Sequence, residues 1–291
     1  MNPKAISQYA LCIAVSIALV ACGSSSTDSE KISADNTANT TTTEKDNKAQ
    51  NVFNTIPGPV EATEILKGAG AKYNPKYLNP IENVSKYSTV TAKALNLGIY
   101  SSDLSFTSVF DQTQESMLYL KCTNNLATGL GISGAFDENT TSRIEANMEH
   151  RDSLLKIISD SYWTSDSYLK NNGQAGVSSL LVAGGWIEGL YIATQIANDT
   201  KNENLISQIG GQKESIDNLT DLLGSYKDNT GVNDMYNSIL ELKKIYDGLP
   251  VASTTTDATK KESEKTSVKL SPEQLKLITD KVTEIRKKII Q

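Results

Sequence analysis

Histidine occurs once in this chain of 291 residues, at His150, and cysteine three times, at Cys12, Cys22 and Cys122. So few ligating side chains leave no Cys/His set with metal-ligand spacing, and no H-E-x-x-H motif is present. A cysteine nucleophile needs a histidine beside it, and His150 lies far from Cys122 in sequence. The chain also lacks a P-loop, a nucleophile elbow and any G-x-G-x-x-G that follows a strand. No run of alternating apolar and polar residues is long enough for a strand, and no self-similarity at a period of about 30 to 50 residues suggests a solenoid. No catalytic residue, metal or cofactor is expected from these absences, and an enzyme is the less favoured class.

What charge there is falls unevenly. Residues 22–259 hold 18 Lys and Arg against 29 Asp and Glu, net −11, whereas residues 260–291 hold 9 against 5, net +4. An acidic body argues against nucleic acid, whose binding rests on basic phosphate contacts. The basic end, "TEIRKKIIQ", reads as a helix C-terminus whose cations complement the helix dipole.

The N-terminus carries an address. One charge, Lys4, precedes the apolar run Tyr9 to Ala21, which has the length of a secretory h-region and falls short of the about 20 residues a spanning helix needs. Directly after it stands Leu19-Val20-Ala21-Cys22. This stretch resembles the lipobox of bacterial lipoproteins. The resemblance covers only the first two dozen residues, and no family is recognised for the rest. It implies a signal peptide over residues 1–21, cleavage before Cys22, and acylation of that cysteine, including palmitate. The protein is then expected in the cell envelope, lipid-anchored, on the outer membrane of a Gram-negative bacterium and facing the periplasm, since Gly23 and Ser24 stand where Asp favours inner-membrane retention. With Cys12 removed and Cys22 acylated, Cys122 has no intramolecular partner.

Residues 22–55 read as a flexible tether. They are rich in Ser, Thr, Asn and charge, so ordering them costs backbone entropy that no apolar burial offsets. As a coil at about 5 to 6 Å × √n, the tether holds the folded part on the order of 30 Å from the bilayer. A second low-complexity stretch, residues 250–270, reads as a loop before a last helix.

The remainder, residues 56–291, reads as an all-α antiparallel bundle of about seven or eight helices. Val232, Met235, Ile239, Leu242, Tyr246 and Leu249 alternate in steps of three and four, one stripe of one helix. Ile206, Ile209, Ile216, Leu219, Leu223 and Tyr226 suggest another. "SPEQ" at Ser271 predicts a capping box with Pro272 at the first helical position, followed by the stripe Leu275, Ile278, Val282, Ile285 and Ile289. Earlier helices are expected over about 83–100, 103–129 and 140–170, the first two divided at "YSSD", and one short helix near residue 60 before an irregular stretch.

The most apolar interior stretch, "SLLVAGGWIEGLYIATQIA" from Ser179 to Ala197, holds Glu188 between glycines. A carboxylate at mid-helix and three glycines suit a buried central helix better than a membrane span. A buried charge persists only if paired or hydrogen-bonded, and the expected structural role is an ion pair with Arg151 or Lys156 of the preceding helix, or a tyrosine hydrogen bond. The functional alternative makes Glu188 a ligand-facing carboxylate in a cleft lined by Trp186, Tyr191, Tyr162 and Trp163. Asp103 reads either as an inward carboxylate or as an N-cap after "YSS", and Asp111 as another inward carboxylate. Glu145 and Glu149, one turn apart beside His150, read as an exposed charged face. Taken together, these features suggest a lipid-anchored, non-enzymatic binding or scaffolding module. Its partners are the membrane, through its anchor, and an envelope protein or small ligand. The alternative is a small-ligand receptor or enzyme that uses Glu188.

Overall fold

Ten α-helices and two short 3-10 helices make up the secondary structure of the described residues, with no strand among them. The structure is a computed structural model and describes residues 56–132, 138–249 and 268–291. The signal peptide, Cys22, the tether and most of the 250–270 loop lie outside the described residues. The helices are α1 (Pro59–Gly68), α2 (Val90–Val109), α3 (Thr113–Gly129), α4 (Glu138–Ala146), α5 (Arg151–Asn171), α6 (Ala175–Thr200), α7 (Glu203–Gly210), α8 (Lys213–Gly224), α9 (Thr230–Asp247) and α10 (Pro272–Ile290). The all-α bundle expected from periodicity is what the chain forms.

Helix α6 is the axis. Its 26 residues extend about 39 Å at 1.5 Å per residue, and α1, α2, α5, α7, α8, α9 and α10 all pack on it. It is long and apolar enough to cross a membrane, but most of its apolar window is buried inside the bundle, as a core helix requires.

Its closest neighbour is α2, and glycine makes the approach possible. A Cβ on Gly184 would lie 2.0 Å from the Leu95 carbonyl oxygen, and one on Gly98 would lie 2.0 Å from the Leu181 carbonyl oxygen. Neither position has room for a side chain, so the two backbones touch. Ser102 Oγ then donates to the Gly185 carbonyl at 3.0 Å across the crossing. The space over Gly184 and Gly185 is thus taken up largely by the backbone of α2.

The break expected at "YSSD" is absent. Residues Tyr100 to Asp103 lie inside α2 and are buried. Ser101 Oγ donates to the Leu97 carbonyl at 2.7 Å and Ser105 Oγ to the Ser101 carbonyl at 2.8 Å, so these hydroxyls are satisfied within the helix and need no turn. The real break comes after Val109, where Asp111 takes a left-handed conformation at φ 59°. Helix α2 starts later than expected, at Val90, where Thr89 Oγ1 accepts from Ala92 N at 3.1 Å.

Two expected helices are each divided in two, which raises the total from about eight to ten. The 140–170 segment breaks at residues 147–150, between α4 and α5. The segment from Ile206 to Tyr226 breaks at Gly211 and Gln212, between α7 and α8. The other stripes stand but for one residue: Val232, Met235, Ile239, Leu242 and Tyr246 of α9 are buried, as are Leu275, Ile278, Val282, Ile285 and Ile289 of α10, whereas Leu249 lies past the end of α9 and is half-buried. The Ser271 capping box is complete, with Gln274 N donating to Ser271 Oγ at 3.2 Å and Ser271 N to Gln274 Oε1 at 2.8 Å.

Candidate functional site

Glu188 sits at the middle of α6 with no solvent exposure. Both of its oxygens are held by one guanidinium: Arg286 Nε donates to Oε2 at 2.6 Å and Nη2 to Oε1 at 2.7 Å. This is the two-point fork that arginine alone provides, and it comes from α10. Arg286 also donates from Nη2 to the Tyr77 carbonyl at 3.1 Å, and its guanidinium carbon lies 4.1 Å from the centre of the Tyr191 ring. Tyr191 is three residues from Glu188, one turn along the same face of α6, which is why both meet the same cation.

The expected partners on the preceding helix are engaged elsewhere. Arg151 donates to Glu64 at 3.3 Å near the surface, and Lys156 pairs with Asp160 at 2.9 Å. The ion pair reading of Glu188 therefore stands with a different cation. In the sequence Arg286 is hidden in the basic run "IRKK", yet its spacing of four from Val282 and three from Ile289 places it at the edge of the buried stripe.

A second carboxyl group completes the cluster. Asp103, fully buried in α2, accepts from Asn79 N at 3.1 Å through Oδ2, while Oδ1 has no protein donor. Of the two readings open for it, the inward carboxyl is the correct one. Burial first, and then the neighbouring Glu188, push its pKa well above the ordinary aspartate range, against the opposing pull of Arg286. The residues between the two 3-10 helices (Pro75–Tyr77 and Ile81–Lys86) cover this cluster: Asn79 Nδ2 donates to Tyr87 Oη at 3.0 Å, Tyr119 Oη to the Asn79 carbonyl at 3.2 Å, and Tyr100 Oη to the Pro80 carbonyl at 2.8 Å. Asp111, by contrast, is exposed and pairs loosely with Lys67 at 3.5 Å, a correction to its reading as inward.

The single aromatic cleft around Glu188 does not form. Trp186 is two positions from Glu188, about 200° around the helix, and so faces the other way. It lines an apolar groove between α1, α6 and α7 together with Ile65, Leu66, Gly189, Leu190 and Ala193. The groove encloses about 570 Å³, counting its part open to solvent, with Gln208 and Gln212 as its side-chain amides. Tyr162 is buried beside Gly185, and Trp163 meets it edge-on at 5.2 Å and stands next to Gly58. The five residues thus divide: Glu188 and Tyr191 belong to the Arg286 cluster, Trp186 to the groove, and Tyr162 and Trp163 to the wall beside it.

Elsewhere the polar chemistry is structural or exposed. Asp166 of α5 is buried, pairs with Lys170 at 3.0 Å and accepts from Ser178. Its pKa is raised by burial, and Ser178 and Lys170 partly offset that rise. Glu145, Glu149 and His150 are exposed as read, and no group of three His, Cys, Asp or Glu among the described residues is placed to hold a metal ion.

The class that fold and site define is an all-α bundle with a sealed carboxyl–guanidinium cluster and a separate apolar groove. No protein-family model, curated protein or solved structure matches the chain.

Proposed function

We propose that the protein is a lipid-anchored component of the cell envelope whose helical domain is a non-enzymatic binding or scaffolding module, with the groove between α1, α6 and α7 as its contact surface. The Leu19-Val20-Ala21-Cys22 motif supports the anchor, and Gly23 and Ser24 after it support an outer-membrane, periplasm-facing location. The observation that carries the binding reading is the division of polarity in the domain. The groove between α1, α6 and α7 is apolar, while Glu188 and Asp103 lie in the interior with Arg286 closed over Glu188. A surface of Ile65, Leu66, Trp186 and Leu190 gains by excluding water, at about 25 cal/mol per Å² of apolar area covered. Its ligand is accordingly an apolar side chain, helix face or small apolar molecule of the envelope.

Two measurements test the two halves of this reading. Palmitate labelling and membrane fractionation of the full chain should both be lost in Cys22→Ala, and retained labelling refutes the anchor. For the groove, an apolar fluorescent probe should bind the mature Cys22→Ala chain at a single site. Gly189→Leu places a side chain in the groove, where the nearest atom to a new Cβ is Ala62 Cβ at 3.9 Å, and should abolish that binding. Unchanged binding in this variant removes the groove from consideration.

A further inference from the structure

The cluster at the centre of the bundle holds one charge too many. Glu188 offers two oxygens and Arg286 takes both. Asp103 Oδ2 is taken by Asn79 N, but Oδ1 is enclosed with no protein N–H or O–H directed at it. An enclosed carboxyl oxygen with no protein donor, beside a carboxylate, is satisfied when it carries the proton itself and donates it. Asp103 is positioned to make such a bond to Glu188.

We propose that this shared proton is a pH-sensitive latch on α10: with it, Asp103 and Glu188 together bear one negative charge that Arg286 neutralises, and without it the interior holds a surplus carboxylate that favours release of the helix. Helix α10 is the element that moves, because it supplies the only cation of the cluster among the described residues. The other polar ties of α10 to the rest of the fold lie near its ends or at the surface. Asn96 Nδ2 donates to the Ile289 carbonyl at 2.9 Å, Tyr87 Oη to the Ile290 carbonyl at 3.5 Å, Asn198 Nδ2 to Thr279 Oγ1 at 3.1 Å, and Lys281 pairs with Glu241 of α9 at 3.0 Å. Release lets water reach Asp103, which then gives up its proton, so opening and proton loss are one event.

No other group facing Asp103 competes for this role. From α6 it meets Glu188 and Tyr191, from α10 Arg286, from α3 Tyr119 and Cys122, from the segment after α1 Tyr73 and Tyr87, and from its own helix Tyr100. Burial raises every one of these tyrosines and the thiol, Cys122 to about 11 and Tyr73 to about 12, so they stay neutral while Asp103 titrates. Asp166 also titrates from a raised value, but it sits between α5 and α6 with Lys170 and Ser178 and does not touch α10.

The sign is fixed by linkage. The closed form binds one proton more than the open form at any pH above the ordinary aspartate value and below the raised one. The opening constant therefore rises with pH, by up to about tenfold per unit for one proton. The test is amide hydrogen exchange on the full chain in detergent micelles between pH 5 and 7, corrected for intrinsic rates. Over that range the opening constant for Val282–Ile289 of α10 should rise by up to about 100-fold, while amides of α8, remote from the cluster, change less. In Asp103→Asn, whose amide can donate to Glu188 and accept from Asn79 without titrating, the α10 slope should vanish. A flat response in α10, an equal slope in α8, or a slope that persists in Asp103→Asn overturns the proposal. If Asp103→Asn does not fold, the comparison of α10 with α8 in the wild-type protein decides alone.

Discussion

Gly184→Ala and Gly189→Ala add the same methyl group to the same helix, five residues apart, and should move stability in opposite directions. Alanine is favoured over glycine in a helix interior by about 0.8 to 1 kcal/mol, so on propensity alone both variants gain. At Gly189 nothing opposes the gain, since the nearest atom to the new Cβ is Ala62 Cβ at 3.9 Å, an ordinary contact. At Gly184 the new Cβ would lie 2.0 Å from the Leu95 carbonyl oxygen, 2.8 Å from its carbon and 3.0 Å from its Cα. Those are backbone atoms, so no rotamer change relieves the clash and α2 itself must move. Overpacking of this kind costs about 1 to 3 kcal/mol and occasionally more, and a rigid crossing belongs at the upper end. The net expectation is a gain of about 1 kcal/mol for Gly189→Ala and a loss of about 2 kcal/mol or more for Gly184→Ala. Urea denaturation followed by far-ultraviolet circular dichroism measures both. With a slope of about 2 to 3 kcal/mol per M, the two midpoints should differ by roughly 1 M. If Gly184→Ala is as stable as Gly189→Ala, the α2 and α6 backbones do not touch and the crossing described above is wrong.

Removing one partner of the buried ion pair is expected to cost more than the pair contributes. Arg286→Leu leaves Glu188 buried without a cation, and a loss of about 3 to 5 kcal/mol should appear in the same assay at pH 7. A loss below about 1 kcal/mol would mean that water reaches Glu188. Because the folded state holds the Asp103 proton above the pH at which the unfolded chain releases it, stability should fall as pH rises from about 4, by up to about 1.4 kcal/mol per unit. Asp103→Asn should flatten that slope and leave the variant more stable than wild type at pH 8. Cys122 is buried and its thiol is pushed up to about 11, so alkylation at pH 8 should be slow in the folded protein and become fast only in denaturant. Rapid labelling under native conditions would show α3 opening locally. Tyr246, fully buried in α9, donates to the Ile209 carbonyl at 3.0 Å, and Tyr246→Phe should cost about 1 kcal/mol through the loss of that bond, with Gln212 N still donating to the same carbonyl at 3.3 Å.

How far the sequence could be read depended on how one-sided each helix is. Helices α9 and α10 bury one stripe and expose the rest, so a spacing of three and four sufficed to locate them, and the Ser271 capping box marked the start of α10 without tertiary information. Helix α2 shows the opposite case. From Ala94 to Val109 it is buried all round, and its Ser and Thr hydroxyls are satisfied by its own carbonyls or by other helices. A polar tetrad such as Tyr100 to Asp103 then looks like a turn, because its bonding partners are not visible in the order of residues. The same limit hid the partner of Glu188. Local geometry pointed to the preceding helix, whereas the cation lies 98 residues later and reads as part of a solvated basic end. The glycines were the better guide. They marked this helix as buried and central, although not which backbone would pack on it.

That separation of 98 residues between Glu188 and Arg286 has a consequence in time. At about 5 to 20 residues per second, the ribosome makes the carboxylate roughly 5 to 20 s before its cation. Throughout that interval the axis of the fold carries a charge it cannot bury. Helices α2 and α6 can collide, but they cannot seal the centre until α10 arrives. Contacts this distant in sequence also delay folding through the entropy of closing the intervening loop. A chain that carries its counter-charge so late stays loose for as long as it is being made.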